Sequence, residues 1–302
     1  MSVRFTATVA ALLAGCATAA PSPAPLVDAT AGQRAWVAAC QDNDEWDKPG
    51  PPFRVYGRTY YVGTCGITSL LVVGPEGHTV IDSGTDEGAK IVLANIRALG
   101  FDPEDVKTLL LSHEHFDHVG GMARLQAATG ATIITSAAAA KVLRSGVPDP
   151  ADPQAKSAHP AFPPVTGKIL ELDGDNPLLL GDWTFRQIST PGHTLGATSW
   201  SWQDCEAAAC KSIVYVDSLN PISSDGYRFS DNAALVAGFR AGVAEVAGAP
   251  CDIVIAPHPG AVALRARLGG QKPLIDPSGC KAFAATVSGR MDKRLADEAS
   301  GG

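Results

Sequence analysis

Apolar residues fall along the chain in short blocks that switch between two periods. Residues 108–111 (Thr-Leu-Leu-Leu) are a compact apolar run closed by Ser112, the mark of a short buried strand. Upstream, residues 53–64 alternate and turn at Gly57, which predicts a β-hairpin. Residues 67–73 and 78–81 predict two more strands across Gly74-Pro75-Glu76-Gly77. Residues 85–99 change to helical spacing, with Ile91, Leu93, Ile96 and Leu99 apolar, and stop at Gly100. Beyond the central run come a helix at 121–129, a strand at 132–136 and a helix at 137–143. A second set of strands is expected at 169–172, 183–189, 198–202 and 213–216. A helix at 231–247 (Leu235, Val236, Phe239, Val243, Val246), a strand at 252–256 and a helix at 278–297 complete the pattern. Residues 33–45 read as helical or irregular. Residues 145–167 hold six prolines and few aliphatics, and predict a long surface loop of the kind that often carries function. Strands followed by helix, twice over, give one α+β domain at residues 33–297 with two sheets between helix layers.

The central strand delivers His113, His115, Asp117 and His118 within six positions, then Gly120 and Gly121. Imidazole and carboxylate are the ligands zinc takes when thiolate is absent. Two histidines two apart on an extended segment project to one side. Asp117 and His118 then turn toward a second point, so the run suggests two metal positions. Three of the seven histidines sit in these six positions, which makes a chance cluster a poor explanation. Two others follow the same logic. His193 comes after a Pro191-Gly192 turn at a strand end, and His258 closes the apolar run 253–256 just before Pro259. His78 and His159 read as solvent-facing or as supports of ligands, not as ligands. Asp82, at the end of the 78–81 strand, is either an acceptor for a ligand His N–H or a turn cap.

Composition narrows the class. With 45 % hydrophobic and 18 % charged residues the chain can bury a sizeable core. A net charge of −7 without any Lys/Arg run argues against a nucleic-acid surface. Residues 1–15 have Arg4 followed by an apolar stretch, the layout of a secretory signal peptide. Leu13-Ala14-Gly15-Cys16 is similar to a bacterial lipobox, which predicts a lipid on Cys16 and a tether at 16–32; the alternative is cleavage near residues 17–19 with no lipid. Residues 298–302 read as a tail. The seven cysteines agree with export: with Cys16 lipidated, Cys40, Cys65, Cys205, Cys210, Cys251 and Cys280 are left, enough for three disulfides in an oxidising periplasm. Six cysteines allow fifteen pairings. Cys205 and Cys210 are close enough to close a local loop, and the spacing Cys-x4-Cys lacks the second pair a structural zinc needs.

The run His113-x-His115-x-Asp117-His118 resembles the signature of the metallo-β-lactamase superfamily, and His193 and His258 stand where that superfamily has its two downstream histidines. The resemblance implies an αββα sandwich of two mixed β-sheets with two zinc ions at one edge. His113, His115 and His193 would hold one ion, and Asp117, His118 and His258 the other. Residues 215–220 (Tyr-Val-Asp-Ser-Leu-Asn) lack a Cys ligand and position 113 is His, so the chain is most similar to the third subclass. Residues 52–57, 60–64, 217–219 and 258–260 resemble that subclass too, over a span of about 46–285. Pairs like Cys40–Cys65 and Cys251–Cys280 occur in some relatives. The resemblance implies zinc-dependent hydrolysis of the β-lactam amide bond by a metal-bound hydroxide, and hence β-lactam antibiotic resistance. It gives Asp117 an orienting role and puts Ser218 and Asn220 at the substrate carboxylate, with Trp46 and the 145–167 loop as walls. The partner is then a small-molecule β-lactam, and the chain is expected to be a monomer in the periplasm, tethered to the outer membrane through Cys16. Two other readings stay open. One is an exported hydrolase of lactones or thioesters in which Asp217 bridges the metals, since strand alternation lets only one of Asp217 and Ser218 face the site. The other is a metal-binding lipoprotein without catalysis.

Overall fold

The computed structural model describes residues 29–157, 159–172 and 176–301; the expected signal peptide, Cys16 and residues 17–28 of the expected tether lie outside the described residues. Helix α1 (Ala29–Ala39) begins inside the segment expected to be tether. Its Trp36 is fully buried against Phe53 and Tyr61, which explains why the helix belongs to the domain.

Strands β1 (Phe53–Tyr56), β2 (Thr59–Tyr61), β3 (Leu70–Val72), β4 (His78–Ile81), β5 (Val106–Leu110), β6 (Thr132–Thr135) and β7 (Ile169–Glu171) form one sheet in chain order. Pairing is antiparallel from β1 to β4 and parallel from β4 to β7. The parallel steps need crossovers. Helix α2 (Asp86–Ala98) supplies the first, the single turn α3 (Phe116–Val119) with α4 (Met122–Thr129) the second, and α5 (Ala137–Ser145) with the 145–167 loop the third. Alternation sorts this sheet's side chains. Leu71, Val80, Leu109 and Ile133 pack with Val92 and Ile96 of α2, Leu125 of α4 and Val142 of α5. Leu70, Ile81, Leu110 and Ile134 point into the sandwich.

There they meet the second sheet, ordered β12 (Ile253–Ile255), β11 (Ala209–Tyr215), β10 (Thr198–Glu206), β9 (Trp183–Ser189), β8 (Leu178–Leu180). Its Trp200, Trp202 and Tyr215 belong to the inner core, and Trp200 Nε1 donates across the sandwich to the carbonyl of Leu111 at 2.8 Å, beneath the metal run. Helix α6 (Ala233–Gly248) and α8 (Gly279–Ala299), through Phe239, Val246, Phe283 and Met291, join the same cluster. The architecture is the αββα sandwich of two mixed sheets that the resemblance implies. Disulfides join Cys40–Cys65, Cys205–Cys210 and Cys251–Cys280. The Cys205–Cys210 bridge closes a β10–β11 hairpin that runs past its expected bounds.

Some expectations need correction. His78 is neither solvent-facing nor a support for ligands: it is buried at the start of β4, edge-on to Phe101, at the end of the strand away from Asp82. Nor do residues 298–302 all form a tail. Glu298 lies inside α8 and is buried, with its carboxylate accepting from the N–H of Phe229 (2.9 Å) and of Ser230 (2.8 Å) and from Arg294 Nε (2.7 Å). It fastens the segment after Asn220 to the last helix.

Burial alone would raise the Glu298 carboxyl, but Arg294 and these N–H groups hold it ionised down to about 2. The group is therefore depressed in the folded state. Its stabilisation is fully present above the unfolded value near 4.5 and is lost as pH falls through about 2. Glu298→Gln is expected to cost on the order of 2 kcal/mol at pH 7, with the gap from the parent shrinking between pH 4.5 and 2. Urea unfolding of both proteins at pH 7 and near pH 2.5 checks this; a gap independent of pH would refute it.

Candidate metal centre

Strand β5 ends at Leu110, and an irregular stretch bends at Ser112 and reaches His115, whose backbone is extended, before α3 turns the chain. That turn separates the ligands into two directions. His113 and His115 leave the irregular stretch, and Asp117 and His118 leave the helical turn. Gly120 and Gly121 are required here by contact: a Cβ on Gly121 would lie 2.4 Å from Ala89 Cβ, and one on Gly120 2.4 Å from the carbonyl of Phe116. Their absence of side chain lets the metal run dock on α2.

Ligand atoms of His113, His115 and His193 all lie within 4.8 Å of one another, and so do those of His113, Asp117 and His118. His258 joins the second group. Its Nε2 is 3.3 Å from His118 Nε2 and 3.4 Å from Asp117 Oδ2, and Asp117 Oδ2 is 3.1 Å from His118 Nε2. All six expected ligand residues thus meet at one edge of the sandwich. The donor set fits metal ions. His113 Nε2 is buried without a hydrogen-bond partner among the described residues, and the Nε2 atoms of His118 and His258 converge with a carboxylate oxygen at distances that a cation between them would satisfy.

The far sides of the rings show how each is held. His193 Nδ1–H donates to the carbonyl of Asn220 at 2.9 Å, which leaves Nε2 for the cluster. His115 Nε2 lies 3.4 Å from the buried Asp152 Oδ1, leaving Nδ1. His113 Nδ1 is 3.1 Å from Ser112 Oγ, which in turn donates to Asp82 Oδ2 at 2.7 Å. Asp82 Oδ2 is also 3.5 Å from His118 Nδ1. One carboxylate therefore stands behind a histidine of each triad, and its Oδ1 takes the N–H of Ser112, thirty residues away, at 2.6 Å, so Asp82 braces the metal run and does not cap its own turn. Asp217 Oδ1 lies 2.9 Å from His113 Nδ1, on the side of the ring away from the free Nε2, and Ser218 takes the cavity side.

Charge follows burial. Burial, then His118 and the other cluster imidazoles, hold His113 well below the usual histidine range. Burial and then His115 take His193 down to about 3. Burial also acts downward on His118, but Asp117 and Asp82 outweigh it and raise His118 to about 10. Burial would raise Asp117; His118 and His258 instead keep it well below the carboxylate range. Without metal the cluster thus holds one Asp–His ion pair, with His113 and His193 as neutral imidazoles, the form that binds metal.

His115, Asp117, His193 and His258 floor a cavity of about 300 Å³ lined also by Trp46, Gln154, His159, Ser218, Asn220 and Ile222, with His113 and His118 fully buried behind them. Trp46 stands edge-on to Phe116 at 5.3 Å and is 39 % exposed, on the rim. Ser218 Oγ is buried and has no hydrogen-bond partner among the described residues. The 145–167 loop, which has no regular element among its described residues, brings His159 to stack on His115 at 5.3 Å. Four supports have no local signal in the sequence: Ser112, Glu114, Asp152 and Tyr215. Glu114 is buried and accepts from Thr194 Oγ1 at 2.6 Å and from the N–H of Gly196 at 2.8 Å, bracing the loop that carries His193.

The Metallo-beta-lactamase superfamily model matches residues 62–210. Among solved structures, the chain is 48 % identical to the MIM-2 metallo-beta-lactamase, with a TM-score of 0.84, over 88 % of this chain and 98 % of that one. It is 39 % identical to MEM-A1, a subclass B3 metallo-beta-lactamase from a soil metagenome library, with a TM-score of 0.81, over 85 % of this chain and 100 % of that one. Among curated proteins, it is 31 % identical over 140 residues to the hydroxyacylglutathione hydrolase of Albidiferax ferrireducens, 46 % of this chain and 43 % of that relative. N-acyl homoserine lactonases match over similarly partial spans. The matched segments span about half or less of the length of these curated relatives.

Proposed function

The chain belongs to the metallo-β-lactamase superfamily, and we propose that it hydrolyses the β-lactam amide bond with two zinc ions as cofactors. The observation that carries this reading is the meeting of an all-histidine triad and an Asp/His/His triad at one edge of the sandwich, with two members of each opening onto one cavity. Zinc held there would polarise the lactam carbonyl and bring the pKa of water to about 7, so that a nucleophile exists at neutral pH. The protein's own groups do the rest. Asp117, buried and ionised, orients the attacking water and stays a ligand. Ser218 Oγ, unpartnered at the cavity wall, and Asn220 receive the carboxylate that β-lactams carry beside the ring nitrogen. Trp46 supplies an apolar wall. The place of Asp217 beside His113 Nδ1, with Ser218 on the cavity side, favours this substrate over lactones or thioesters handled by a bridging Asp217. Export to the periplasm, a lipid anchor at Cys16, a monomeric state and a role in antibiotic resistance belong to the same proposal.

Imipenem hydrolysis by the purified protein, followed by ultraviolet absorbance with and without EDTA, tests it. Turnover on the order of 1–10³ s⁻¹ is expected, abolished by EDTA and restored by zinc. No turnover of any β-lactam with zinc bound would move the assignment to a lactone or thioester, or to binding alone.

A further inference from the structure

Helix α8 presents two arginines one turn apart on one face, toward the segment after Asn220. The second, Arg294, is engaged: Nε with Glu298 Oε1 at 2.7 Å, and Nη2 with Ser223 Oγ at 2.8 Å and the carbonyl of Tyr227 at 2.9 Å. The first, Arg290, is different. It is exposed and lines the metal cavity beside Ser218, Asn220 and Ile222. The acids of its own helix are taken, Asp292 by Arg240, Asp297 by Lys293 and Glu298 by Arg294. Among the described residues Arg290 forms no ion pair, and it is the sole Lys or Arg among those lining this cavity. A chain of net charge −7 keeps one uncommitted guanidinium at the mouth of its site.

Ser218 and Asn220 can hydrogen-bond an anion but bring no charge. A guanidinium is a planar fork that matches a carboxylate and stays charged at any working pH. We propose that Arg290 is the cation that draws in and holds the carboxylate of the substrate, so that the site selects anionic substrates over neutral ones. This rests on the β-lactam reading above. Arg290 is a specificity-determining residue, with no part in breaking the amide bond.

The test compares a cephalosporin with its carboxylate methyl ester, using the zinc-loaded enzyme and its Arg290→Gln and Arg290→Lys variants. For the free acid, Arg290→Gln is expected to raise KM about fivefold with kcat within about twofold, the scale of one solvent-exposed ion pair. Arg290→Lys keeps most of the affinity. The ester is handled alike by all three proteins. Salt between about 0.05 and 0.5 M lowers kcat/KM of the parent for the acid and flattens for Arg290→Gln. An equal loss on acid and ester assigns Arg290 a structural role and overturns the proposal, as does an unchanged KM for the acid. If the parent itself turns over no β-lactam, the β-lactam reading fails and the proposal with it; if the parent works and only the acid–ester contrast is missing, the reading stands without Arg290.

Discussion

Asp117→Ala is expected to lower β-lactam turnover by about 10²–10⁴-fold while the protein stays folded. The residue is the single carboxylate among the six ligands, and its Oδ2 touches both imidazoles of its triad. Alanine removes a ligand, the group that orients water, and the negative charge that balances His118. The all-histidine triad is untouched, so one zinc per chain is expected to remain by elemental analysis, against two in the parent. The fold is carried elsewhere, by the sandwich core and the outer α2–α5 cluster, neither of which contains Asp117. The melting temperature of the chelated variant should therefore stay within a few degrees of the chelated parent. A rate equal to the parent's would remove Asp117 from the mechanism and sink the two-metal assignment.

The ligands were legible in the sequence because four of them are neighbours. A strand run, a polar stop and His113-x-His115-x-Asp117-His118 are local patterns, and the Pro-Gly before His193 and the Pro after His258 mark strand ends as clearly. Layers and crossovers were legible for the same reason: hydrophobic period switches at the right places. The failures were all at long range or at small size. Nothing near Glu114 says that its carboxylate meets Thr194, and nothing near Arg290 on α8 says that it reaches the cavity. The single turn α3, strand β8 and α7 (Leu264–Leu268) are too short for periodicity to speak. The turn beside His78 suggests solvent, whereas Phe101 covers the ring. Asp82 could be read two ways because the sequence shows one partner at a time, and the fold gives it several.

That convergence makes Asp82 the site of the other large effect. The carboxylate is fully buried and accepts from the N–H of Ser112 at 2.6 Å, from Ser112 Oγ at 2.7 Å and from Tyr215 OH at 2.7 Å. Its φ of 61° is left-handed, a conformation that Asp and Asn tolerate and alanine does not favour. Asp82→Ala is expected to cost about 3–5 kcal/mol, because three donors lose a buried acceptor and the backbone is strained. Asp82→Asn separates stability from metal binding. Asparagine keeps the shape, the backbone angle and one acceptor oxygen, so the fold should survive with a smaller loss. The charge beside His118 is gone in that variant, as is the one that reaches His113 through Ser112, while Asp217 stays 2.9 Å from His113 Nδ1. The Asp/His/His site, which has Asp82 beside His118 Nδ1, should weaken by about 10–100-fold, and the all-histidine site, where Asp217 still stands at His113 Nδ1, by less. Titration with a chromophoric chelator reads the two dissociation constants. If only the Asp/His/His site weakens, the relay through Ser112 does not operate; if both keep the parent's affinity in a folded Asp82→Asn protein, Asp82 is a structural anchor alone.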